Sequence, residues 1–115
     1  MVEAVFYSAS QMAKVRLTWK ATQQIASFRA FYADREPAVG ERAVSAILSA
    51  FRRLEAHPAM GRPSIGDHTL RELVIAFGST GYVAPYRIEE DAKRVVILAI
   101  RHQREAGYDG HERKF

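Results

Sequence analysis

Between Pro37 and Pro58 apolar residues return every three or four positions, and this period constrains the fold more than any other feature. Ala43, Val44, Ile47, Leu48, Phe51 and Leu54 fall on one stripe of an α-helix, with Arg42, Arg52 and Arg53 off it. A helix with one apolar face must lay that face on something. Pro37 has no N–H and a fixed φ, so it suits the first helical turn. His57-Pro58 closes the far end, because the residue before a proline avoids helical geometry. Upstream, Ile25, Phe28, Phe31 and Tyr32 make a second stripe on a helix predicted over residues 21–35, with Thr22 as candidate N-cap. Pro37 stops that helix near Glu36. Two helices with so short a link form an antiparallel hairpin.

The partner for these stripes is strand sequence. Val15, Leu17 and Trp19 alternate with Arg16 and Thr18, which predicts a half-buried strand over 14–19. Residues 57–69 hold prolines and glycines in the order HPAMGRPSIGDHT and read as a loop. A strand follows over 70–77 (LRELVIAF), then a Gly78-Ser79-Thr80-Gly81 hairpin turn and a return strand over 82–88. Pro85 lacks an N–H, so it predicts a bulge or a locally unpaired edge. Residues 89–93 are a polar turn. The run RVVILAIR, 94–101, is nearly continuous and β-branched, as in a central strand buried on both faces. From His102 the tail is charged and irregular. The order strand, helix, helix, strand, strand, strand gives an α+β fold, β-α-α-β-β-β: a small antiparallel sheet packed against an α-helical hairpin.

With 115 residues there is room for one core. Residues 14–108 form the single domain. Residues 1–13 are read as an N-terminal extension that can be loose, with Met1 or Met12 as the start, and 109–115 as a C-terminal tail. No apolar run approaches the roughly 20 residues of a membrane helix, and Glu3 sits where a signal peptide needs positive charge. A cytoplasmic protein is expected. The absence of cysteine excludes disulfides, a thiolate nucleophile and cysteine metal sites. His57, His68 and His111 show no metal-ligand spacing, and no Gly-rich phosphate loop occurs, so neither metal nor cofactor is expected. Ser64, Asp67 and His68 are close in sequence, which is no evidence for a triad. Net charge is +4. A nucleic acid or an acidic protein segment fits that balance, and so does a solvated basic surface.

Several segments together resemble the RelE/ParE superfamily of toxins, also described as plasmid stabilisation proteins. They are VRLTW, then FRRLEAHPAMGRP, RELV, GYVAPYRI and VVILAIRHQREAGY. The resemblance covers 14–108. It implies the toxin of a type II toxin–antitoxin pair, a growth inhibitor wrapped by a cognate antitoxin. The antitoxin would pack a helix near the helix hairpin and add a strand to an open sheet edge. Phe28, Phe31, Tyr32 and Phe51 are the candidate antitoxin-binding residues, although such a stripe is more often core. Oligomeric state stays open between a dimer and a hetero-oligomer with antitoxin.

The superfamily holds two subtypes. ParE-like members act on DNA gyrase; RelE-like members cut messenger RNA on the ribosome. Cleavage by 2′-OH attack needs a proton acceptor, a donor to the leaving oxygen and cations around the phosphate. The available set is His102 as acid–base residue with Arg101, Arg62 and Arg71. Two features depart from the RelE-like pattern. Val83 follows Gly81-Tyr82 where that pattern has arginine, and no lysine lies between Lys20 and Lys93. The ParE-like subtype is therefore favoured, with Arg87, Arg101, His102, Arg104 and Tyr108 as target-binding residues. A RelE-like nuclease and an inactive relative remain the alternatives. A concave patch joining His102 to two arginines would favour the nuclease; His102 against the helices would disfavour it.

Overall fold

The structure, a computed structural model, describes residues 13–103. The chain runs β1 (Lys14–Leu17), α1 (Trp19–Ala33), α2 (Pro37–Ala56), a 3-10 turn (Pro58–Met60), β2 (Arg62–Pro63), β3 (Arg71–Phe77), β4 (Thr80–Glu89), β5 (Arg94–Ile97) and β6 (Arg101–His102). The strands lie in the order β1-β5-β4-β3-β2, with β6 beside β4. The helix hairpin covers one face of this sheet, and the α+β fold matches the expectation. The expected extension and tail lie almost wholly outside the described residues.

The α2 stripe is the centre of the core. Ala43, Val44, Ile47, Phe51 and Leu54 are buried, and Ala50 joins them. Leu48, on the flank of the stripe, is 41% exposed instead. Opposite them, Leu73 and Ile75 of β3, Tyr82, Ala84 and Tyr86 of β4, and Val95 and Ile97 of β5 complete the cluster. These strand residues alternate in sequence, as one buried sheet face requires. α1 is held less deeply. Ile25, Phe28 and Tyr32 are half-buried, but Phe31 is 72% exposed.

Four local readings are corrected. The first strand ends at Leu17, because the Thr18 hydroxyl accepts from the Ala21 N–H at 3.1 Å while donating to the Leu98 carbonyl at 2.8 Å. Thr18, not Thr22, is thus the N-cap of α1, and Trp19 begins the helix at 75% exposure. The sheet is mixed: β1 pairs β5 in parallel while the other strand pairs are antiparallel. Parallel pairing needs a long connection, and everything between Leu17 and Arg94 supplies it. Alternation fixes a strand's faces, not its direction. The two-residue β2 inside the predicted loop was not foreseen.

A further correction concerns the last strand, which is broken. Tyr86 pairs Ile97, but Val83 pairs Arg101, so β5 and β6 are separated by one residue more than the facing stretch of β4. That is a β-bulge. It lies opposite Pro85, whose carbonyl accepts from the Leu98 N–H at 2.9 Å. The proline nitrogen faces the same side as its carbonyl and donates nothing there, so the ladder has nothing to lose at this point. The predicted irregularity at Pro85 is present, with the extra residue on the partner strand.

Loops are pinned by few interactions. The hairpin after β3 has two residues, Gly78 and Ser79, with Phe77 paired to Thr80. Gly78 has φ 63°, at the position where a two-residue hairpin turn of the II′ kind needs positive φ. The Tyr86 hydroxyl donates to the Pro58 carbonyl at 2.6 Å and accepts from the Gly61 N–H at 2.9 Å. A Cβ at Gly61 would come within 2.7 Å of that hydroxyl and 2.6 Å of the Glu72 carbonyl oxygen. Only glycine allows this approach.

Two stability outcomes are expected. Phe51→Ala should cost about 3–5 kcal/mol in chemical denaturation, and a loss under about 1 kcal/mol would show that the α2 stripe does not carry the core. Tyr86→Phe should cost about 1–3 kcal/mol, because it strands the half-buried Pro58 carbonyl and the buried Gly61 N–H.

Candidate functional site

Each strand residue has a face assigned by the α2 packing. His102 pairs Tyr82, whose side chain is in the core cluster on the helix side. Its ring meets Tyr82 edge-on at 5.5 Å between centroids, and its Nε2 lies 3.1 Å from the Thr80 hydroxyl. Together with Ser27, Phe28, Phe31, Tyr32 and Tyr82 it lines a cavity of about 440 Å³. Phe28 packs on Tyr82 at 4.8 Å, and Phe31 sets its edge against Tyr32 at 5.1 Å. The cavity is aromatic with a polar rim of Ser27 and His102. Such a shape takes an apolar side chain from a partner with one or two polar anchors. Among the described residues no arginine lines it.

The four candidate catalytic residues do not share a face. Arg101 pairs Val83, on the sheet face away from the helices. Arg62 lies on that same face, opposite Glu72, with its Nε 3.2 Å from the carboxylate. Arg71 lies on the helix side, next in register to Pro63, and its Nε donates to the Gly61 carbonyl at 3.0 Å. It anchors the loop that Tyr86 also holds. Val83 is 1% exposed although, among the described residues, its face carries no helix. Arg87 keeps the face of Val83, because β4 itself is unbroken against β3. Arg104 and Tyr108 lie outside the described residues.

Of the aromatic candidates, Phe28, Phe31 and Tyr32 meet in the His102 cavity. Phe51 does not. It borders a separate groove of about 710 Å³ with Val15, Arg16, Leu17, Leu48, Arg52 and Glu55. This groove runs along β1, which pairs only β5 among the described residues. Among the described residues no strand pairs its outer edge, and an edge of that kind accepts an added strand.

Charges that the sequence reading did not single out, Lys14, Arg16, Glu89 and Arg94, join the target-binding candidate Arg87 on the outer face. Arg87 donates to Glu89 Oε2 from Nε at 3.0 Å and from Nη2 at 2.7 Å. Arg94 reaches Glu89 Oε1 from Nε at 2.8 Å and Nη2 at 2.7 Å. Hydrogen bonds from Arg87 and then Arg94 hold the Glu89 carboxyl below its ordinary value. The signal was available: charges on alternate positions of three strands, Lys14 and Arg16, Arg87 and Glu89, and Arg94. Among the described residues no group of His, Asp and Glu could hold a metal ion.

The family pattern described as ParE toxin of type II toxin–antitoxin system, parDE, matches residues 15–107. The chain belongs to this ParE toxin family. The toxin is 37% identical over 94 residues to Toxin RelE3 of Caulobacter vibrioides, covering 82% of this chain and 98% of the relative. Among solved structures it is similar to the chromosomal ParDE toxin–antitoxin system from P. aeruginosa, with a TM-score of 0.65 and 25% identity. That match covers 81% of this chain and 98% of the other. A chain of the RelBE2 toxin–antitoxin complex from Mycobacterium tuberculosis shares the fold, with a TM-score of 0.58 and 24% identity over 82% of the toxin and 94% of that chain. Among the described residues no helix of the toxin is long and apolar enough to cross a membrane.

Because its folded-state value is lowered, Glu89 adds stability above its ordinary value of 4.5 and loses it as the pH falls through the folded value. Glu89→Gln should therefore be destabilised at neutral pH, with the gap to the parent closing in acid. Thermal denaturation of both proteins across pH checks this, and a gap that stays constant would remove Glu89 as its source.

Proposed function

We propose that this toxin acts as a ParE-like growth inhibitor in the cytoplasm, binding DNA gyrase, and that a cognate antitoxin neutralises it. The observation that carries the reading is the match to the ParE family over residues 15–107. The separation of the basic residues supports it. A ribonuclease needs an acid–base group and cations around one phosphate, whereas His102 and Arg71 lie on the helix side, and Arg62 and Arg101 on the other. In this reading Arg87, Arg101, His102, Arg104 and Tyr108 contact the target. The antitoxin fills the cavity of Phe28, Phe31 and Tyr32, adds a strand at β1 and lies over the groove beside Phe51. His102 lines the first of these cavities, so a bound antitoxin would cover it.

A second reading is a RelE-like, ribosome-dependent nuclease of messenger RNA. The 37% identity to Toxin RelE3 favours it. The two differ in what stops first in a cell. On tightly induced expression, thymidine incorporation should fall before methionine incorporation in the same culture. Methionine falling first would overturn the gyrase reading in favour of the nuclease. Soluble protein with no effect on either would mean an inactive relative.

A further inference from the structure

We propose that the sheet face turned away from the helices binds the phosphodiester backbone of duplex DNA through Lys14, Arg16, Arg87 and Arg94. The register places these side chains. Arg16 pairs Val96, which pairs Arg87, and Lys14 pairs Arg94, which pairs Glu89. Their neighbours along each strand, Val15, Leu17, Ile88, Val95 and Ile97, face the helices. Adjacent strands stand about 4.8 Å apart, so the row from Arg16 to Arg87 spans roughly 10 Å.

This arrangement makes poor sense as a device for folding. Lys14 beside Arg94 sets like charges directly opposite, which destabilises a strand pair. Between Arg16 and Arg87 lies Val96, with no carboxylate to separate them. Glu89 is the carboxylate of these two rows, and it offsets only part of the charge. It also orients its partners. Each of Arg87 and Arg94 uses Nε and Nη2 on Glu89, which leaves the Nη1 amino group of a rigid fork for another acceptor. Their side chains remain 42% and 39% exposed, and Lys14 and Arg16 are exposed. Braced guanidiniums, with ammonium and guanidinium groups on the adjoining strand, suit phosphate oxygens. The choice of duplex DNA among phosphate polymers rests on the gyrase reading, since that target works on duplex DNA.

The test is fluorescence anisotropy of a short fluorescein-labelled DNA duplex with the full chain, across a salt series. The parent should bind with an affinity that falls steeply with salt. The double variant Lys14→Glu/Arg16→Glu should weaken binding about tenfold or more. It should also reduce the slope of log affinity on log salt by about 0.9 for each phosphate that is no longer neutralised. Arg42→Glu/Arg53→Glu, on the exposed flank of α2, makes the same change in net charge and should bind far better than the first double variant. If Lys14→Glu/Arg16→Glu fails to fold by circular dichroism, Arg16→Gln at its exposed position should still reduce the slope. Equal weakening by both double variants would overturn the proposal, and so would tighter binding to a single-stranded RNA or to an acidic peptide. These outcomes are separate from the gyrase reading, which the order of thymidine and methionine incorporation decides without reference to this face.

Discussion

The burial of the α2 stripe against one face of the sheet orders everything else. Once Ile47, Phe51 and Leu54 are sealed against Leu73, Ile75, Tyr86 and Ile97, the parity of each strand is fixed. A slip of one residue would carry every apolar side chain to the other face. Apart from Arg71 and His102, the acidic and basic residues of the strands are thereby sent to the face away from the helices. Lys14, Arg16, Arg62, Arg87, Glu89 and Arg94 all obey this sorting. Glu72 obeys it too, yet is 4% exposed, and its ion pair with Arg62 makes that burial tolerable.

One residue overrides that parity where the chemistry would sit. Without the bulge, the register of β4 with β5 would continue and bring Arg101 opposite Tyr82. Arg101 would then point to the aromatic cavity and His102 to the outer face. The extra residue opposite Pro85 exchanges them. A proline with no N–H to give has thus chosen which of two neighbouring polar side chains meets the aromatic cluster. The exchange also places Arg101 on the face that carries Arg87.

Much of the fold was legible because the information is local. Both helices, the α2 stripe, the meander and the irregularity at Pro85 follow from period and from the chemistry of single residues. The errors have the opposite character. Thr18 caps α1 partly because Leu98 lies across the sheet to receive its hydroxyl, a contact eighty residues away in sequence. Phe31 fits the helical period yet stays exposed, because period says which side of a helix is apolar and not how far the neighbouring sheet extends. The direction of β1 depends on the whole crossover. For the candidate site, the identity of the residues could be read but not their grouping. Arg62 and Arg71 are close in sequence and part company across β2 and β3, whereas Arg16 and Arg87 come together only through Val96.

The outer edge of β1, unpaired among the described residues, links the two faces. An antitoxin strand added there would continue the sheet past Lys14 and Arg16, and alternate side chains of that strand would stand on the outer face beside them. Its other side chains would reach toward the groove of Leu48 and Phe51. Acidic residues on the outward positions would then relieve the repulsion between Lys14 and Arg94. The same cations could not at that moment hold a phosphate. Under the functions proposed above, a single added strand would complete the core and occupy the basic face together, so neutralisation needs no change in the toxin's own fold.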